Sequence, residues 1–172
     1  DAVIQGYQIL MKHNGLFLAD VVGLGKTMIA TMIAKRFIEA NGKNTSVLVV
    51  YPPALEDNWK NTFKLFSIYK KAQFITNGSL SKILEGRDQY KSKEEFDLII
   101  VDEAQRIYPY QFTKIKEAIQ GTNKKCLFAY DENQYLQEDE KKCDIKTKIE
   151  TELSCSPFKL TDKIRTNKEV AF

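Results

Sequence analysis

Residues 16–41 carry the feature that most restricts how this chain can fold. Leu16-Phe17-Leu18-Ala19 is an apolar run of strand type that ends at Asp20. A turn containing Gly23 and Gly25 follows, then Lys26-Thr27, then a segment of helical periodicity. The end of this stretch fits the phosphate-binding loop, in which backbone N–H groups and a helix N-terminus cradle di- and triphosphates. In that loop the Lys reaches the β- and γ-phosphates and the hydroxyl residue holds Mg²⁺. Glycine is needed because the backbone must approach the phosphates closely and visit positive φ. The consensus opens with Gly where this chain has Asp20, so a strict pattern would pass over it.

The segments around this loop alternate between strand and helix. Residues 1–13, with Val3, Ile4, Tyr7, Ile9 and Leu10 among polar neighbours, read as a short helix. Met28, Ile29, Met32, Ile33 and Phe37 mark one stripe of the helix after the loop, which ends at Asn41-Gly42. Ser46–Tyr51 reads as a buried strand stopped by Pro52-Pro53, and Leu55, Trp59, Phe63 and Phe66 follow at helical spacing. Ala72–Thr76 is a weaker strand closed by Asn77-Gly78, after which Ser79 caps a short helix and residues 86–95 form a surface connection. Phe96–Val101 is the most apolar strand and runs into Asp102-Glu103. Phe112, Ile115 and Ile119 mark a helix ended by Gly121, and Lys125–Tyr130 is a strand that runs into Asp131. Residues 132–155, rich in Glu, Asp and Lys, read as a solvated helix or loop, and Phe158–Leu160 as a last short strand.

Near-continuous apolar strands alternating with helices indicate an α/β fold, a parallel sheet with helices on both faces. Such sheets bind ligands beyond the carboxyl ends of their strands, which here hold Asp20, Pro52-Pro53, Asp102-Glu103 and Asp131. With 172 residues one domain is expected. Hydrophobic content of 43% with 28% charged residues is ordinary for a globular chain, and no apolar run is long enough to span a bilayer. A net charge of +3 permits a nucleic-acid partner without requiring one. The three cysteines, Cys126, Cys143 and Cys155, form no close ligand pair, and their odd number suits reduced thiols in a cytoplasmic setting. His13 is expected on the surface. Thr166-Asn167-Lys168-Glu169 reads as a capping box opening a helix that has scarcely begun at Phe172, so a fragment of a longer protein is expected.

Two carboxylates at a strand end can orient Mg²⁺ and its waters and can position or deprotonate an attacking water. Asp102-Glu103, following Asp97-Leu98-Ile99-Ile100-Val101, supplies such a pair.

At this point the chain resembles a known group. Asp102-Glu103-Ala104-Gln105 is similar to the motif II (DEAQ) box of superfamily 1 and 2 helicases and translocases. Gly23-Leu24-Gly25-Lys26-Thr27 preceded by Asp20 resembles the Walker A loop of remodeller-type superfamily 2 ATPases, which also carry Asp in place of the first Gly. The half from Asp102 onward is similar to superfamily 1 and to bacterial DNA/RNA helicases related to the Schlafen group.

The resemblance implies a P-loop NTPase of RecA-like fold, with residues 1–172 as one ATP-binding domain and a second RecA-like domain missing from this chain. It also implies ATP and Mg²⁺ as cofactors, DNA or RNA as partner, and no membrane. Gly23, Leu24, Gly25, Lys26, Thr27 and Met28 would contact the nucleotide, and Thr27 and Asp102 the metal. Glu103 would be the catalytic base. Tyr7-Gln8 resembles the glutamine motif that recognises adenine, with Gln5 as a competitor, since a glutamine amide can both donate and accept. Pro52-Pro53-Ala54-Leu55 with Asn58-Trp59 resembles motif Ia. Leu55 and Trp59 share the apolar stripe and read as core, which leaves Pro52, Pro53 and Ala54 as the nucleic-acid contact. Tyr130-Asp131-Glu132-Asn133-Gln134 resembles motif III and Leu160 with Arg165 motif IV, giving Gln134 and Arg165 as sensors of the γ-phosphate. Lys141 to Lys148, interspersed with Asp144 and other acids, reads as a solvated mixed-charge face. The implied activity is ATP hydrolysis coupled to movement on nucleic acid. A nucleotide-controlled switch or assembly ATPase that does not translocate is the alternative.

Overall fold

The computed structural model describes residues 2–20, 25–80, 82, 95–131, 145–153 and 156–159. The described elements in chain order are α1 (Ala2–His13), β1 (Gly15–Asp20), α2 (Lys26–Asn41), β2 (Val47–Tyr51) and α3 (Glu56–Leu65), then β3 (Ala72–Thr76), β4 (Leu98–Val101), α4 (Pro109–Ile119), β5 (Lys125–Asp131), α5 (Ile145–Glu152) and β6 (Ser156–Lys159). Short 3-10 turns at Pro53–Leu55, Tyr69–Lys71, Asn77–Ser79 and Ala104–Arg106 join several of them.

The six strands form one sheet in the order β3-β2-β4-β5-β1-β6, and every pairing is parallel. Parallel pairing puts all carboxyl ends on one edge. Asp20 pairs with Asp131 across β1 and β5, and Val50 with Val101 across β2 and β4, so the end of β1 and the acidic pair after β4 lie on the same rim.

Strands β1, β2, β4 and β5 are apolar on both faces. Leu16, Leu18, Val47, Val49, Tyr51, Leu98, Ile100 and Leu127 face one layer, where α1, α2 and α3 supply Leu10, Ile29, Ile33, Phe37, Trp59 and Phe63. Phe17, Leu48, Val50, Ile99, Val101, Cys126, Phe128 and Tyr130 face the other, which α4 and α5 cover with Phe112, Ile115, Ile145 and Ile149. This two-sided burial explains why the strands read as continuous apolar runs. Among the described residues no helix is long and apolar enough to cross a membrane.

Three local expectations change in detail. Met32 is 37% exposed, because α2 presses its Ile29, Ala30, Ile33, Ala34 and Phe37 face on the sheet, where alanines let the backbone come close. Within residues 132–155, α5 buries Ile145 and Ile149; two residues at i, i+4 are too short a stripe to stand out among charges. The fourth strand starts at Leu98, two residues later than expected. Leu80 and Lys82 are helical, in line with the helix expected after Ser79; the rest of that helix, most of residues 86–95, and the capping box at Thr166 lie outside the described residues.

Helix α2 ends where the sequence pattern puts its end. Gly42 sits at φ 89°, ψ −169°, and its N–H bonds the Ile38 carbonyl. That backbone region is essentially restricted to glycine, while a methyl group there would meet nothing within 4 Å. Gly42→Ala therefore carries a purely conformational cost. We expect a loss of about 1–3 kcal/mol, read as a lower urea midpoint at unchanged m-value; an unmoved midpoint would refute the C-cap assignment.

Candidate nucleotide-binding site

The loop side of the site is built by β1 and α2. Gly25 adopts the left-handed conformation (φ 81°, ψ 40°) and its carbonyl accepts the Ile29 N–H at 3.0 Å, starting the helix. Only a residue without a Cβ takes that conformation cheaply. Lys26 is the first residue of α2. Its ammonium donates to the Tyr130 carbonyl at 3.3 Å and lies 3.9 Å from Asp131 Oδ2, with its side chain 12% exposed. Lys26 is thus held at the carboxyl end of β5, the strand beside β1.

The acidic side is built by β4. The Asp102 N–H continues the ladder by donating to the Val50 carbonyl at 2.9 Å. Its carboxylate is buried; Oδ1 accepts the Glu103 N–H and Oδ2 the Trp59 indole N–H, each at 2.8 Å. Burial pushes the Asp102 carboxyl above its ordinary value, opposed by those two donors and by the charges of Lys26 and Arg106. Glu103 is also pushed up, first by burial and then by Asp102, against the opposing pull of Arg106, Lys26 and Gln105. Glu103 is one of three non-glycine residues with positive φ among those described (φ 50°), a conformation that costs about 1–3 kcal/mol. Its Oε2 accepts the Gln105 amide at 2.7 Å and lies 3.5 Å from Arg106 Nε. Among the described residues Gln105 Oε1 and Arg106 Nε are buried without a hydrogen-bond partner.

Helix α3 joins the two sides. Asn58 Nδ2 donates to Thr27 Oγ1 at 3.3 Å, and the next residue, Trp59, donates to Asp102. Lys26-Thr27 and Asp102-Glu103 therefore face one cleft. Among the described residues its charged groups include three carboxylates (Asp102, Glu103, Asp131) and two cations (Lys26, Arg106). Hard oxygen donors with an excess of negative charge suit Mg²⁺. Among the described residues no cluster of three or more His, Cys, Asp or Glu could hold a metal alone. Mg²⁺ is commonly bound by one or two protein oxygens completed by substrate phosphates and water, so this donor set fits it.

The family described as Schlafen group 3, DNA/RNA helicase domain matches residues 16–171. The chain belongs to this family. A probable ATP-dependent DNA helicase of Arabidopsis thaliana, CHR23, is 32% identical over 98 residues; the match covers 54% of this chain but only 9% of that protein. Two solved structures share the fold over 93% of the chain. The Pyrococcus furiosus Hef helicase domain matches with a TM-score of 0.60 and 16% identity, and 38% of it is covered. The Sulfolobus solfataricus SWI2/SNF2 ATPase core, solved in complex with dsDNA, matches with a TM-score of 0.57 and 18% identity, and 44% of it is covered. The helicase-type RecA-like α/β fold expected from the sequence is thereby established.

Within this Schlafen group 3 domain, the structure brings Gly25, Lys26, Thr27, Asp102 and Glu103 together; Met28 is half-buried in the first turn of α2. Pro52, Pro53 and Ala54 lie on the same rim, at the end of β2, with the last two exposed. Gln8 and Gln5 are both exposed on α1. Gly23, Leu24, Gln134 and Arg165 lie outside the described residues. Sequence reasoning placed Asn58 and Trp59 in the motif Ia resemblance and Asp131 among the strand-end acids and in the motif III resemblance, but assigned no specific role to them or to Arg106. Trp59 was hidden by its place in an apolar stripe; only its indole N–H, which a buried Trp must satisfy, hinted at a polar partner. Asp131 was legible as a strand-end acid, though its pairing with Lys26 depends on strand order.

The pH dependence of stability follows from the raised Asp102. Between its ordinary value of 3.8 and its higher folded value the native state holds more protons than the unfolded chain, so its contribution falls as pH rises through that window. Asp102→Asn removes this dependence. The stability of the variant relative to wild type should therefore rise between pH 3.5 and 7 in ligand-free urea titrations; a constant difference would mean that Asp102 is not shifted upward.

Proposed function

We propose that this domain binds MgATP between the Gly23–Met28 turn and Asp102-Glu103, and that it hydrolyses ATP as the first motor domain of a DNA or RNA helicase or translocase. The observation that carries the proposal is the shared cleft: Lys26 is close enough to act electrostatically on both acids, and successive residues of α3 touch Thr27 and Asp102. Membership of a helicase-domain family and the likeness to an ATP-dependent DNA helicase support it further.

On this reading Lys26 leaves the Tyr130 carbonyl for the β- and γ-phosphates, and the N–H groups of Gly23, Leu24, Gly25, Thr27 and Met28 cradle the phosphate chain. Thr27 and Asp102 would hold the ion. Bound there, Mg²⁺ would neutralise charge on the phosphoryl oxygens. Glu103 takes a proton from the attacking water as the bond from the γ-phosphorus to the bridging oxygen breaks, and Lys26 stabilises the charge that develops. Gln134 and Arg165 report the γ-phosphate, Gln8 reads the adenine, and the Pro52–Ala54 turn contacts the nucleic-acid backbone. The chain spans only 9% of the Arabidopsis relative and 38–44% of the two solved chains, which leaves room for a second RecA-like domain supplying an arginine finger.

Lys26→Ala should abolish nucleotide binding measured with a fluorescent ATP analogue, whereas Glu103→Gln should bind normally and hydrolyse slowly. Binding that survives the first change sinks the loop assignment; turnover that survives the second removes Glu103 as base. Residues 1–172 alone should bind nucleotide yet turn over slowly, since an arginine finger supplied in trans is worth roughly 10³–10⁵ in rate. Single-stranded DNA or RNA should stimulate ATPase activity of the full-length protein, and the effect should weaken with salt. Absence of stimulation by either would favour a nucleotide-controlled switch.

A further inference from the structure

The dipeptide Asn58-Trp59 does more than pack. Trp59 is fully buried and lies 6.2 Å from the Phe63 ring, which in turn meets Phe74 edge-on at 5.2 Å. This aromatic cluster fixes the rotation of α3. A Phe or Leu would fill the Trp59 position in such a core, but neither carries an N–H. The Trp59 indole spends its one donor on Asp102 Oδ2 at 2.8 Å. Its neighbour Asn58, exposed on the same helix, donates to Thr27 Oγ1 at 3.3 Å. One rigid helix therefore holds the two residues that the proposed reading gives as oxygen ligands.

The lone pairs allow this. A hydroxyl oxygen has two, so Thr27 can accept from Asn58 and keep one for a cation. A carboxylate has about four acceptor positions. The Trp59 and Glu103 N–H groups take one on each Asp102 oxygen, and among the described residues no other hydrogen bond to this carboxylate is seen. Hydrogen bonds of this kind fix the orientation of metal ligands, and their loss commonly costs 10- to 100-fold in metal affinity or activity.

We propose that Asn58 and Trp59 are positioning residues that hold the Thr27 hydroxyl and the Asp102 carboxylate in register for one Mg²⁺ ion. The inference rests on Thr27 and Asp102 being the metal ligands, and the experiment separates the two ideas. In the full-length protein, affinity for a fluorescent ATP analogue is measured in EDTA and across a Mg²⁺ titration, with Mn²⁺ binding in the presence of nucleotide followed by EPR. Trp59→Phe should need about 10- to 100-fold more Mg²⁺ to reach half of the metal-dependent gain in affinity. Asn58→Ala should shift in the same direction by less, and affinity in EDTA should stay unchanged in both. A Trp59→Phe midpoint equal to wild type, alongside a displaced Asp102→Ala midpoint, overturns the positioning role and leaves the metal reading intact. An Asp102→Ala midpoint that does not move refutes the metal reading itself. Equal loss of affinity with and without Mg²⁺ in Trp59→Phe also overturns the proposal, because it marks a general packing defect. If Trp59→Phe fails to fold, Asn58→Ala, altered only at the helix surface, decides: an unmoved Mg²⁺ midpoint there overturns it.

Discussion

A carboxylate buried at the end of β4 is costly unless hydrogen bonds and opposite charge compensate it, and the arrangement around Asp102 is that compensation. The Trp59 indole and the Glu103 amide each donate at 2.8 Å, and Lys26 and Arg106 add charge from either side. Glu103 and Arg106 follow Asp102 closely in the chain, whereas Trp59 comes from α3 and Lys26 from α2, so the full set of partners meets only when the sheet and its flanking helices are assembled. The carboxyl nonetheless stays above its ordinary value. Burial therefore outweighs the two donors and the two cations.

The sheet makes the convergence possible. With every pairing parallel, the strand ends open on one rim, and the order β2-β4-β5-β1 puts the turn after β1 two places from the acidic pair after β4. The strand between them, β5, offers the Tyr130 carbonyl and Asp131 as the resting partners of Lys26. On the other side β2 runs through the Pro53–Leu55 turn directly into α3. The exposed Pro53-Ala54 pair and the residues that touch Thr27 and Asp102 thus lie on one continuous stretch of chain.

One of the three left-handed non-glycine residues among those described also lies here. Glu103 adopts a left-handed backbone, and Gln105 Oε1 and Arg106 Nε are buried without a hydrogen-bond partner among the described residues, although Arg106 Nε lies 3.5 Å from Glu103 Oε2. Such features persist only where the surrounding structure over-determines them, and they are enriched at functional sites. Their position within four residues of Asp102 agrees with the chemistry proposed for this rim.

Much of this was legible in the chain itself. The β1 run, Gly25-Lys26-Thr27, the Ile29/Ile33/Phe37 stripe and the Asn41-Gly42 stop are local signals, because helix periodicity, caps and glycine turns are set by neighbours within a few residues. Asp102-Glu103 stood out for the same reason, as charge abutting the most apolar strand. The reach of Trp59 to Asp102, of Asn58 to Thr27 and of Lys26 to Asp131 was not local: these contacts span 43, 31 and 105 residues. The amino-acid order by itself determined most of the strands and helices and which residues are candidates for phosphate and metal. Only the tertiary structure decided which of them meet, because strand order and the rotation of α3 about its aromatic anchor are properties of the packed core as a whole.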